Sequence, residues 1–184
     1  MPAHRHQLVL IGPRGSGKST LGRCLASAMD CTFDDLDDRA LTLCPEASVS
    51  DVFAARGEQA WRDAEWSALQ AWLNESGDEP AIAARILALG GGTPMIREAF
   101  DALQATSSAD QLRLVYLECS LRTLTDRLDA HRGDRPSLTG ADPVAEIGNV
   151  LAERAPTYRA LADLRLDGNA PIAWQVETVL RYWK

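Results

Sequence analysis

The octapeptide Gly12-Pro13-Arg14-Gly15-Ser16-Gly17-Lys18-Ser19 fits the pattern G-x-x-x-x-G-K-[ST], and no other stretch of the chain constrains its fold so tightly. A loop of this kind works between a buried strand and a helix, because its N–H groups then converge at the helix N-terminus and form a concavity for an anion. The flanks supply both partners. Gln7 to Ile11 is an apolar, β-branched run suited to a buried strand, and Thr20 to Met29 places Leu21, Cys24, Leu25, Ala28 and Met29 at helical spacing. Glycines let the backbone curl around a polyphosphate, Lys18 sets a point charge among its outer oxygens, and Ser19 can ligate Mg²⁺. Gly15, Ser16, Gly17, Lys18, Ser19 and Thr20 are therefore the expected phosphate contacts.

Four further apolar runs read as strands: Thr32 to Leu36, Arg85 to Leu89, Leu112 to Glu118, and Leu164 to Leu166 with Asp167-Gly168-Asn169 as its turn. Helical patterns separate them. Gly57 to Leu73 carries Trp61, Trp66, Leu69, Trp72 and Leu73 as an inward stripe, Arg122 to Leu128 and Glu146 to Arg154 follow, and Ile172 to Trp183 closes the chain. A helix ending near Pro156 is expected, since proline removes a backbone donor. This alternation predicts an α/β fold, three layers α/β/α around a mostly five-stranded parallel sheet, in a single domain over 1–184. Ala130 to Pro143 breaks all periodicity with Gly133, Pro136, Gly140 and Pro143 among charges, which marks a mobile lid over about 127–143.

Composition narrows the partners. The formal net charge of −7 argues against nucleic acid or an anionic membrane as the main partner. No apolar stretch is long enough for a signal segment or a bilayer span, so a cytoplasmic protein is expected. Cys24, Cys31, Cys44 and Cys119 lack C-x-x-C spacing and read as small buried thiols. His4 and His6 read as solvated.

Several constellations gather around the loop. Asp35 and Asp37 sit where the second strand should end, and the carboxyl ends of parallel strands are where ligands bind. Strand alternation would put both on one side, able to hold Mg²⁺ or orient a hydroxyl, or else to cap the next helix. A register that uses Asp38 in place of Asp37 is the alternative. Arg62 is flanked at helical spacing by Glu58 and Glu65, which make either a weak surface pair or a rigid guanidinium for an anion. Gly90-Gly91-Gly92 directly after a buried strand implies that something approaches the backbone closely. Arg127, Arg132 and Arg135 crowd the lid, and Arg154 stands at a helix end.

Taken together these pieces resemble the shikimate kinases, small kinases of the nucleoside-monophosphate-kinase type. The phosphate loop, Asp35-x-Asp37, the run Gly57-Glu58 to Glu65 of form G-E-x-x-[FW]-R-x-x-E, Gly90 to Gly92, Arg135-Pro136 and Glu153-Arg154-x-Pro156-x-Tyr158 occur in that family's order, over nearly the whole chain. The resemblance implies transfer of the γ-phosphoryl of MgATP to the 3-hydroxyl of shikimate, a step towards chorismate and the aromatic amino acids. It implies Lys18 on the β and γ phosphates, Ser19 and Asp35 on Mg²⁺, and Asp37 on the substrate hydroxyl. Arg62 and Arg154 would clamp the shikimate carboxylate beside Gly90, Gly91 and Gly92. Arg135 would close from the lid, with Arg127 against the adenine of a monomeric enzyme. The chain departs from the family in one extra residue between Asp37 and Phe53, in Arg135-Pro136-Ser137-Leu138 where R-P-L is usual, and in added residues around Asn74 to Ala84. A gluconate or nucleotide kinase, or a noncatalytic nucleotide-binding relative, are the competing expectations.

Overall fold

In a computed structural model describing residues 7–75, 84–130 and 143–183, the side chains of 143–145 aside, five parallel strands run in the order β2-β3-β1-β4-β5. They are β1 (Gln7–Ile11), β2 (Thr32–Asp35), β3 (Arg85–Ala88), β4 (Leu112–Glu118) and β5 (Leu164–Asp167). The helices are α1 (Lys18–Met29), α2 (Leu36–Leu41), α3 (Val49–Asn74), α4 (Arg97–Ser108), α5 (Leu121–Ala130), α6 (Pro143–Leu161) and α7 (Ile172–Trp183), with a single 3₁₀ turn at Thr93–Met95. Central β1 pairs with β3 on one side and β4 on the other, Val9 standing opposite Leu87 and Leu114.

All five residues of β1 are buried, as a parallel strand covered on both faces requires. Alternation then divides the core. Leu8 and Leu10 pack with Leu21 and Leu25 of α1 and Val179 of α7, while Val9 and Ile11 pack with Leu69 and Trp72 of α3, Leu103 of α4 and Tyr158 of α6. Each fully buried large side chain contributes about 1.5–3 kcal/mol relative to exposure. The consequence is the three-layer arrangement that the sequence predicts. Order reverses beside β1, so the loops after β1, β2 and β3 open at one edge.

Several boundaries differ from the expectations. The second strand stops at Asp35, and Leu36 opens α2; Asp35 is its N-cap, accepting from the Asp37 N–H. Asp35 and Asp37 therefore share a helix start rather than one face of a strand. The buried face of α1 is Leu21, Gly22, Leu25 and Ala26, with Cys24 and Ala28 exposed. Cys24 is thus no core thiol; Cys119 is buried and the other two are half-buried, all four free. Helix α3 begins at Val49, capped by Ser48, and breaks at Gly57 (φ 81°, ψ 173°) before the tryptophan stripe. Helix α4 escapes the sequence reading because only Ala99 and Leu103 of it are fully buried.

Helix α6 runs through Pro156 to Leu161 instead of stopping there, the boundary change with most consequence for the site. The lost N–H and ring clash of an interior proline cost about 3 kcal/mol. Burial of Tyr158 and Leu161 beyond the break, with Ala155 just before it, offsets that cost.

Of the expected lid, Arg127 belongs to α5, whereas Arg132, Arg135 and the remainder of 131–142 lie outside the described residues, as do His4, His6 and 76–83. Among the described residues no helix is long and apolar enough to cross a membrane.

Candidate active site

The loop after β1 is built from its own backbone. Gly15 and Gly17 have φ of 79° and 100°, a region that side-chain-bearing residues avoid. Gly17 is the N-cap of α1 and no side chain caps the first turn there, which leaves the N–H groups of the loop end directed outward as a ligand cradle. Lys18 curls back, donating from Nζ to Gly12 O and Pro13 O at 2.9 Å each. Burial lowers its pKa to about 8, against the opposing pull of Asp37, Asp35 and Cys119. Thr20 is exposed on the first turn.

Ser19 Oγ donates to Asp35 Oδ2 at 2.6 Å, and Asp35 Oδ1 accepts from Asp37 N at 3.1 Å. One carboxylate therefore ties the phosphate helix to the start of α2. Asp37 points inward: a Cβ added at Gly90 would come 2.6 Å from its Oδ1 and would overlap the Glu65 carboxylate. Asp38, the alternative register, is exposed on the outer side of α2.

Arg62 lies between two carboxylates on α3. Nη1 donates to Glu65 Oε2 at 2.5 Å, and Nη2 and Nε donate to Glu58 Oε1 at 2.6 and 3.1 Å. The pair on Glu58 is half in solvent, whereas the Glu65 side chain is only 1% exposed. Glu65 also accepts from Thr93 Oγ1 at 2.6 Å. Burial raises the Glu65 pKa, with Arg62 and Thr93 working against that rise. The result is a guanidinium with a fixed fork, the state that binds a planar anion at least entropic cost.

The triple glycine joins the two halves. A Cβ at Gly92 would overlap the Arg62 guanidinium, and one at Gly91 would reach 3.2 Å from Arg14 N in the phosphate loop. Any larger residue would push the halves apart. Gly91 O accepts from Tyr158 Oη at 2.5 Å, and Arg154, one helical turn before Tyr158, acts electrostatically on that hydroxyl.

Arg127 sits behind the loop. Its Nη1 donates to Ser16 O at 2.8 Å and its Nη2 to Gly168 O at 2.9 Å. Beside it a cleft of about 620 Å³ opens at the ends of β4 and β5, lined by Cys119, Ser120, Asp167 and Asn169 among others. The sequence reading assigned no role to this cleft, to Thr93 or to Tyr158, and treated Glu65 only as a flank. Glu65 was findable: a carboxylate one turn from Arg62 on a stripe that also holds Trp61 and Leu69 must be buried with it.

A five-stranded parallel sheet in this order, with a phosphate loop leaving its central strand and carboxylates of the second strand's end near the loop lysine, defines a P-loop kinase fold. The family model "Shikimate kinase" matches residues 14–183. A shikimate kinase of Pseudomonas syringae pv. tomato is 36% identical over 160 residues, 87% of this chain and 85% of that protein. The structure of a shikimate kinase from Acinetobacter baumannii in complex with shikimate superposes with a TM-score of 0.81 at 25% identity, over 96% of this chain and 92% of that one. A gluconokinase from Sinorhizobium meliloti shares the fold, with a TM-score of 0.62 at 20% identity over 97% and 91%. The chain belongs to the shikimate kinase family.

Proposed function

We propose that this chain is a shikimate kinase, converting MgATP and shikimate to ADP and shikimate 3-phosphate. The observation that carries the reading is the strip Gly90 to Gly92, pressed between the phosphate loop at Gly91 and the Arg62 guanidinium at Gly92, with Asp37 against Gly90. A small acceptor held there by a carboxylate faces Lys18 directly.

In this reading the N–H groups of Gly15, Ser16, Gly17, Lys18, Ser19 and Thr20 cradle the phosphates and Lys18 Nζ follows the transferred group. Arg62 and Arg154 hold the acceptor carboxylate, and the buried Glu65 keeps Arg62 from turning away. Asp37 orients the 3-hydroxyl and takes its proton as the oxygen bonds to the γ-phosphorus and the bond to the ADP oxygen breaks. Ser19 and Asp35 present hard oxygens within 2.6 Å of one another, the donor chemistry Mg²⁺ requires, and would hold it. Bound there, Mg²⁺ would neutralise phosphate charge. The cleft beside Arg127 takes the nucleoside end, and Arg135, outside the described residues, closes from the lid and excludes water. The unit is one kinase domain with an acceptor subdomain over about 34–74 and a lid over about 127–143, acting as a cytoplasmic monomer.

ADP release measured with MgATP and, in turn, shikimate, gluconate and a nucleoside monophosphate tests the assignment. Turnover with shikimate alone is expected. Faster turnover with either other acceptor, or equal turnover with none, overturns it.

A further inference from the structure

Tyr158 is fully buried, yet it carries its hydroxyl to the edge of the acceptor pocket. That hydroxyl has two partners of opposite kind. It donates to Gly91 O at 2.5 Å, and the Arg154 guanidinium, one helical turn earlier on the same face, is near enough to act on its charge. The ring is held by Tyr116, centroid to centroid 5.2 Å at 34° between planes, so the oxygen has little freedom to follow either partner. Passage of α6 through Pro156 makes the arrangement possible. Arg154 and Tyr158 are four residues apart and share a helix face only because the helix does not stop between them. Burial pushes the phenol up to about 12, so it stays a protonated donor at every pH at which the enzyme would work.

We propose that Tyr158 is a positioning residue for the acceptor: its hydroxyl, anchored on the Gly91 carbonyl, fixes the direction of the Arg154 guanidinium and thereby the carboxylate clamp. The proposal rests on the reading of Arg154 as a carboxylate ligand. The phosphate side does not need this bond. Its loop is already held by Ser16 N on Pro13 O, Lys18 on two carbonyls and Arg127 on Ser16 O. An effect confined to the acceptor is therefore the signature. A hydroxyl that merely satisfied a buried carbonyl would instead lower thermal stability and leave the acceptor's affinity alone.

Steady-state kinetics on the full chain with shikimate and MgATP decide it, using Tyr158→Phe, Arg154→Ala and the double variant. The phenylalanine keeps the ring against Tyr116, and a thermal melt checks that it folds. Tyr158→Phe is expected to raise the shikimate KM about three- to tenfold, the worth of one ordinary hydrogen bond, with the ATP KM unchanged. Arg154→Ala is expected to raise it about ten- to a hundredfold, as for a charge-assisted bond, and the double variant to be no worse than Arg154→Ala alone. An unchanged shikimate KM in Tyr158→Phe, an equal rise in both KM values, or factors that multiply in the double variant would each overturn the proposal. A normal shikimate KM in Arg154→Ala removes the clamp reading itself and the proposal with it, and it does so through a different variant.

Discussion

The phosphate loop and the acceptor pocket meet along three glycines but differ in how far along the chain their parts come from. Lys18 reaches partners five and six residues away, whereas Tyr158 reaches back 67 residues to Gly91 and Thr93 reaches 28 to Glu65. One half is backbone geometry specified by a local motif. The other is side chains that converge only when α2, α3, the 3₁₀ turn and α6 have docked on the sheet. A local site tolerates change in its surroundings and fails outright when its own residues change. A convergent site can be degraded from several directions, and each partner acts on binding more than on chemistry.

The sharpest break of that contrast is at Asp37, which lies in the acceptor half by position and is proposed to act on the reacting hydroxyl. Asp37→Asn is expected to lower kcat by about 10²–10⁴ with a near-normal shikimate KM. Asp38→Asn, on the exposed side of α2, should leave both unchanged. Equal losses in the two variants would return the register to question.

Glu65 gives a smaller effect with a pH signature. Its carboxyl is held above the ordinary value of 4.5, by burial first, so Arg62 loses the buried one of its two ionised partners at a higher pH than an exposed glutamate would allow. The shikimate KM should rise as pH falls through that raised value, and Glu65→Gln should have an elevated KM that is flat on the acid side. Stability moves oppositely. Between the raised pKa and 4.5 the folded chain binds the proton and the unfolded chain does not, so falling pH stabilises the fold through this group. A KM rise accompanied by a falling melting temperature that Glu65→Gln retains would mark general acid unfolding instead.

Smallest of all is Arg39→Ala. Arg39 pairs with Asp34 at 3.3 Å and with Glu75, with its side chain 27% exposed. A loss of about 0.2–1 kcal/mol is expected from denaturant unfolding, with kinetics unaltered. A change in kcat would mean that the start of α2 depends on this pair.

The same contrast explains what was legible in the sequence. The loop can be read to the residue because its glycine conformations and the Lys18 bonds to Gly12 O and Pro13 O lie within eight positions between one strand and one helix. Strand alternation singles out Asp35 and Asp37, whereas in the structure Asp35 ends the strand as a cap and Asp37 lies in the first turn of α2. Proline's local penalty argues that α6 should end at Pro156, and burial of Tyr158 and Leu161 beyond it outweighs that penalty. Thr93 carries no local signal, and Tyr158 stands only as the last position of a motif, because the meaning of each is the partner it meets, Glu65 in one case and Gly91 in the other.

The proposed clamp of the acceptor carboxylate by Arg62, opposite the phosphate loop, is reached directly by one comparison. Wild type and Arg62→Ala are assayed for kcat/KM with shikimate and with the same acceptor carrying its carboxylate reduced to an alcohol. Removing the acceptor's charge should cost wild type about ten- to a hundredfold, the worth of a charge-assisted hydrogen bond, and should cost Arg62→Ala far less. An equal penalty in both proteins would contradict the clamp.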